Sequence, residues 1–180
     1  MLPSSPDGEA RPRFLAFAQP YLEKSGIDLR PAGEGDRALV ATLYATTRAE
    51  ELRQVDWSDA QKRVFTDWQS QQQEAHYGLH YPAAERLLVE KGEPIGRIYV
   101  DTTSAEVRLM EVTLLPAWRN QGIGTRLTRL LLEYADRLRL PASLHVEPFN
   151  PAKRMYQRMG FGVVEVRGVY EYMLRPVPGG

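Results

Sequence analysis

The 180-residue chain contains no cysteine. Disulfides, thiolate metal sites, iron–sulfur clusters and any mechanism that parks an intermediate on a protein thiol are therefore excluded. Net charge is missing as well: 23 Lys plus Arg balance 23 Asp plus Glu, so the basic excess of a dedicated nucleic-acid binder is not there. No apolar run approaches the ~18 residues of a membrane span. The segment Met1–Phe14 carries prolines and acidic residues where a signal peptide needs an apolar core. The expectation is a cytoplasmic protein with no nucleic-acid partner and no membrane. Three scattered histidines without paired carboxylates give no metal-ligand spacing, so no metal is expected.

What is present is ordinary for a globular domain: 43% apolar and 26% charged residues, at a length that suits one domain. Charge is distributed unevenly, with a net −4 over residues 34–105 and a net +4 over residues 106–160. That pattern fits scattered surface charge, and it equally fits an anionic ligand held by the second half and a cationic substrate met by the first. Residues 1–26, rich in Pro, Ser and Gly, read as a poorly ordered N-terminal arm, and residues 27–176 as a single domain.

Periodicity sets out the elements. A short strand at Ile27–Pro31 precedes a helix with Leu39, Val40, Leu43 and Tyr44 on one face and Asp36 as a candidate cap. Ser58 or Asp59 can cap a second helix to about Gln73, with Val64, Phe65 and Trp68 expected inward. From Arg86 the period changes to a hairpin around Lys91-Gly92-Glu93-Pro94, then a strand over Glu106–Leu115. Ile123–Leu138 is a strongly amphipathic helix, followed by a strand at Ser143–Glu147, a helix at Asn150–Met159 and two closing strands. Within Val107–Leu115 the apolar positions switch from odd to even near Met110-Glu111, as a β-bulge requires.

The segment Arg119-Asn120-Gln121-Gly122-Ile123-Gly124-Thr125 lies between a strand and a helix. Two glycines one residue apart allow a tight turn with exposed N–H groups, and the following helix aims its positive end at the same spot. This is a pyrophosphate cradle with Arg119 at its rim; alone, it is also a plain helix start. Further on, Asn150-Pro151-Ala152 opens a helix that Gly160-Phe161 closes.

Arg119-x-x-Gly122-x-Gly124 before a long helix, then Asn150-x-Ala152-x-x-Met155-Tyr156-x-x-x-Gly160-Phe161, resembles the GNAT superfamily of acyl-CoA-dependent N-acetyltransferases over about residues 86–174. The resemblance implies an α/β fold: a mostly antiparallel mixed sheet, splayed between its fourth and fifth strands and flanked by about four helices. It implies acetyl-CoA as acyl donor. Main-chain groups of Val112, Thr113 and Leu114 would pair with the pantetheine arm, and the N–H groups of Gln121, Gly122, Ile123, Gly124 and Thr125 would hold the pyrophosphate. Asn150 would contact the cofactor, and Tyr156 would stand near the thioester sulfur.

Without a cysteine, an amine must attack the thioester directly in a ternary complex. Tyr156 is the candidate acid for the departing thiolate, and a backbone N–H near Val112 the candidate oxyanion donor. A lysine-like amine costs about 4.6 kcal/mol to deprotonate at pH 7 and an α-amine about 1, so the need for a base depends on the acceptor. Glu111, at the bulge, is the first candidate; His145 and Glu147 on the next strand are others. Trp57, Phe65, Trp68, His76, Tyr77, His80 and Tyr81 are candidates for an acceptor pocket or for packing. The expected activity is acetyl transfer to a primary amine of a small molecule or peptide, the alternative being a catalytically silent acyl-CoA-binding module. A homodimer is compatible with either.

Overall fold

A computed structural model of the chain describes residues 12–179. Seven strands, β1 (Asp28–Pro31), β2 (Glu85–Glu90), β3 (Pro94–Thr102), β4 (Val107–Leu114), β5 (Ala142–Val146), β6 (Gly162–Arg167) and β7 (Tyr170–Arg175), form one sheet in the order β1-β2-β3-β4-β5-β7-β6. Every pairing is antiparallel except β4 with β5. The α-helices are α1 (Phe14–Glu23), α2 (Arg37–Leu52), α3 (Asp59–His80), α4 (Ile123–Leu138) and α5 (Lys153–Arg158). The expected mixed, mostly antiparallel α/β architecture is the one observed, with one α-helix more than the four expected.

That additional helix is α1, which lies where an arm was expected. Phe14, Ala18 and Leu22 recur every fourth residue, share one face, and are fully buried. Glu85 of β2 accepts hydrogen bonds from the Phe14 and Leu15 amides at 2.8 and 3.0 Å, so a carboxylate 71 residues away caps the helix. Tyr134 of α4 packs edge-on against Phe14 and donates to the Pro12 carbonyl. The cap and the partner face are both tertiary, which is why composition alone reads this stretch as unstructured. Residues 1–11 of the expected arm lie outside the described residues.

The sheet has two unlike faces. Alternation along β3 sends Ile98 and Val100 into the apolar core with α1 and α4, alongside Leu87, Leu109, Leu127 and Leu131. The same alternation sends Arg97 and Tyr99 to the opposite face, where both bond to Glu74 of α3. Because that face is polar, α3 is inverted relative to expectation. Its buried residues are Thr66 and Ser70, while Val64 and Trp68, expected inward, are exposed. The helix also continues past Gln73 to His80, started by Ser58, whose hydroxyl accepts from the Gln61 amide while the Gln61 side chain accepts from the Ser58 amide.

Candidate active site

The bulge expected on β4 is present. Tyr99 pairs with Glu111 but Val100 pairs with Leu109, which leaves Met110 as the extra residue. At the far end of this pairing Gly96 faces Leu114, and a Cβ there would come within 2.4 Å of the Thr113 carbonyl oxygen, so only glycine permits the approach.

On its other side β4 meets β5 only at Val107–Leu109. Past Leu109 the two strands separate, and the edge of β4 from Met110 to Leu114 has no strand partner. The gap is a cavity of about 210 Å³ whose wall includes Glu111, Val112, Thr113, His145, Asn150 and Tyr156. A larger cleft of about 1480 Å³ lies between α2 and α3. Glu74 lines that cleft and Arg97 the smaller cavity, so their ion pair stands between the two. None of the residues expected to act in catalysis or cofactor binding lines the larger cleft.

Beyond β4 the chain turns through Pro116–Trp118, and Asn120 and Gly122 both take left-handed backbone conformations, with φ of 59° and 81°. Successive N–H groups in such a turn converge on one side. The amides of Gln121 to Thr125 have no hydrogen-bond acceptor in the described residues; the first amide used by α4 is that of Arg126, bonded to the Gly122 carbonyl. A Cβ at Gly124 would meet nothing within 4 Å, so the space before the helix is open. Thr125 is tied to Met155 of α5 at 3.2 Å, which fixes the cradle relative to the helix bearing Tyr156. Arg119 points back, donating to the Leu114 carbonyl and to Thr46 of α2, each at 2.9 Å.

Tyr156 is buried on α5, its ring edge-on to Phe161. Burial first, then the negative charge of Glu111, pushes its phenol up to about 12. It is therefore a protonated donor throughout the neutral range. Asn150 accepts from the Ala152 amide at 2.9 Å and so starts the turn leading into α5.

Glu111 is held by residues that sequence patterns did not connect to it. Its Oε1 accepts from the Tyr77 hydroxyl at 2.7 Å and from Gln73 at 2.9 Å, and its Oε2 lies 3.7 Å from the fully buried Arg97 guanidinium. Among the described residues Oε2 has no hydrogen bond and is left open as an acceptor. Arg97 carried a visible signal, a cation in the middle of the apolar run Ile95–Val100. Gln73 carried none. Of the other base candidates, Glu147 takes an ion pair from Arg48 at 3.4 Å. The His145 pKa is lowered by burial and by the Arg108 and Arg167 charges, which keep the ring neutral. Of the aromatic residues considered for an acceptor pocket, Tyr77 reaches the site through Glu111, whereas Trp57 and Trp68 are exposed. No helix among the described residues is long and apolar enough to cross a membrane.

Residues 42–161 match the family model described as the acetyltransferase (GNAT) family. No curated protein matches the chain. Among solved structures, the PaiA N-acetyltransferase from Thermoplasma acidophilum, in complex with coenzyme A, superposes with a TM-score of 0.61 at 17% identity, over 83% of this chain and 98% of that one. An acetyltransferase from Thermus thermophilus gives 0.60 at 20% identity, over 84% and 97%. Arabidopsis thaliana Naa50, in complex with the bisubstrate analogue CoA-Ac-MVNAL, gives 0.55 at 17% identity, over 83% and 97%. At these identities the likeness is one of fold.

Proposed function

The chain belongs to the GNAT acetyltransferase family, and from that premise we propose that it transfers an acetyl group from acetyl-CoA to a primary amine of a small molecule or peptide, by direct attack in a ternary complex. One observation carries this reading. The unpaired edge of β4 runs from a cavity that holds a protonated phenol and a carboxylate to a turn presenting five free N–H groups. Relatives of the same fold in complex with coenzyme A or a bisubstrate analogue support it.

Acetyl-CoA supplies an acyl group activated as a thioester. The amides of Gln121, Gly122, Ile123, Gly124 and Thr125 would bind its pyrophosphate, with the α4 dipole behind them. Val112, Thr113 and Leu114 would pair with the pantetheine arm through the open edge of β4, much as a strand adds to a sheet. Arg119 would shape the rim of the cradle, and Asn150 would contact the cofactor beside the splay. The Val112 amide would face the developing oxyanion. Tyr156 would protonate the departing thiolate, and Glu111 would take the amine proton at Oε2, directly or through a water.

The discriminating experiment follows free thiol released from acetyl-CoA across a panel of amines. A chain without cysteine adds no thiol background of its own. Turnover with any primary amine supports the transferase; acetyl-CoA binding without turnover across the panel would favour the silent binding module.

The role of Glu111 has its own test. Glu111→Gln is expected to lower kcat/KM at least tenfold at pH 7 and to recover as pH rises, because solvent then deprotonates the amine. Its Tm should fall too, since Arg97 loses one of its two carboxylate neighbours while Glu74 remains at 3.1 Å. The check is a pH–rate profile of both proteins on one acceptor. A loss of equal size at every pH would assign Glu111 to positioning rather than to proton transfer.

A further inference from the structure

Arg97 is a buried cation short of an acceptor. Its guanidinium is fully enclosed, with Nη1 donating to Glu74 at 3.1 Å and Nη2 to Gln73 at 3.0 Å. Its Nε is buried with no hydrogen-bond partner among the described residues. The open Oε2 of Glu111 stands 3.7 Å from Nη2. Away from water, a guanidinium and a carboxylate at that separation attract strongly, and their preferred contact is a pair of parallel N–H···O bonds. Here the contact is not made.

Two donors from α3 account for the gap. Gln73 and Tyr77 are four residues apart, so they share one side of the helix, and both bond to Oε1 of Glu111, at 2.9 and 2.7 Å. Arginine can only donate, so Gln73 gives its oxygen to Arg97 and its NH2 group to the carboxylate. Tyr77 makes the shorter of the two bonds, and edge-on contacts with Tyr81 and Tyr99 set its ring. The wall of the site cavity includes Glu111 and Gln73 but not Tyr77. Tyr77 therefore acts on that cavity only through Glu111.

We propose that Tyr77 is a positioning residue, whose hydroxyl holds Glu111 off Arg97 and thereby keeps Oε2 free to accept a proton. The inference rests on the base role proposed above for Glu111. Without the hydroxyl, the carboxylate turns onto Arg97, supplies the acceptor that the guanidinium lacks, and gives up the free oxygen. Activity is then lost while stability is kept, because a bond to Arg97 replaces the bond to Tyr77.

Tyr77→Phe keeps the ring and removes only the hydroxyl. It should lower kcat by about tenfold or more at pH 7, as misplacement of a reacting group does, with KM for acetyl-CoA unchanged. Loss of a hydrogen bond to a charged partner would by itself lower Tm by about 3 °C or more; the variant should stay within about 3 °C of wild type. In a Glu111→Gln background the same substitution should cost less than about twofold, since no base is left to position. A wild-type rate, a larger fall in Tm, or the same tenfold cost in both backgrounds overturns the positioning role. If Glu111→Gln alone turns over at the wild-type rate, the base reading itself fails and takes this one with it.

Discussion

Tyr156→Phe is expected to lower kcat by about 10²–10⁴-fold, the range typical of a lost general acid, while leaving acetyl-CoA binding and thermal stability nearly unchanged. The reason for the split lies in how the side chain is divided. Its ring packs edge-on against Phe161 at 5.9 Å and is kept in the variant. Its hydroxyl has no hydrogen-bond partner among the described residues and lines the cavity with Glu111, so its removal leaves no partner unsatisfied. The pH dependence adds a second constraint. Burial and the Glu111 charge hold the phenol at about 12, so the donor form is complete at every pH well below that value. The ratio of wild-type to variant kcat should therefore be flat from pH 6 to pH 10. The measurement is a pH series of kcat for both proteins with the best acceptor from the amine panel, under conditions where chemistry limits turnover. A loss smaller than about threefold would return Tyr156 to a packing role. A ratio that collapses between pH 8 and pH 10 would mean that the phenol ionises far more easily than its surroundings dictate.

Gly124→Val should abolish most of the thermal shift that acetyl-CoA gives the wild type. At a hundred times its dissociation constant a ligand stabilises by about 2.7 kcal/mol, which for a chain of this size is about 5–10 °C. The substitution would remove that shift by filling the place proposed for the pyrophosphate against the amides of α4. It does so without unfolding the protein, since a Cβ at Gly124 meets nothing within 4 Å and the backbone there is not left-handed. Gly122 would be the wrong choice. Its φ of 81° puts any side chain in a strained conformation at a cost of about 1–2 kcal/mol, and lost binding could not be told from lost structure. Differential scanning fluorimetry with and without acetyl-CoA reads the outcome, and a wild-type shift in Gly124→Val would remove the cradle from the binding site.

Local patterns carried the parts of the fold that depend on neighbours in sequence. The α4 stripe, the switch of phase at Met110 and the Gly160 end of the α5 segment are written in consecutive residues, and each is where the spacing predicts it. Asn150, expected to cap a helix over Asn150–Met159, instead starts a turn, and α5 begins at Lys153 with Ala152 as its cap. What the pattern could not show is which face of an element meets an apolar neighbour. Val64, Phe65 and Trp68 look like an inward face only if the sheet beneath is apolar. Arg97 and Tyr99 make it polar, and Gln73, Glu74 and Tyr77 turn to meet them. The same limit applied to the site. Glu111 was legible from its place at the bulge, but the Tyr77 and Gln73 donors lie 34 and 38 residues away on another element. No local signal joins them.

The capped first helix changes where the protein can be cut. Family similarity begins at residue 42, inside α2, and composition suggests trimming at residue 26. Either shortened form would lose Phe14, Ala18 and Leu22 from beneath the sheet, together with the two amides that donate hydrogen bonds to Glu85. A recombinant version begun at residue 27 should be poorly soluble and bind hydrophobic dyes, whereas one begun at residue 12 keeps the whole latch. For this chain the working unit extends about 30 residues upstream of the recognisable one.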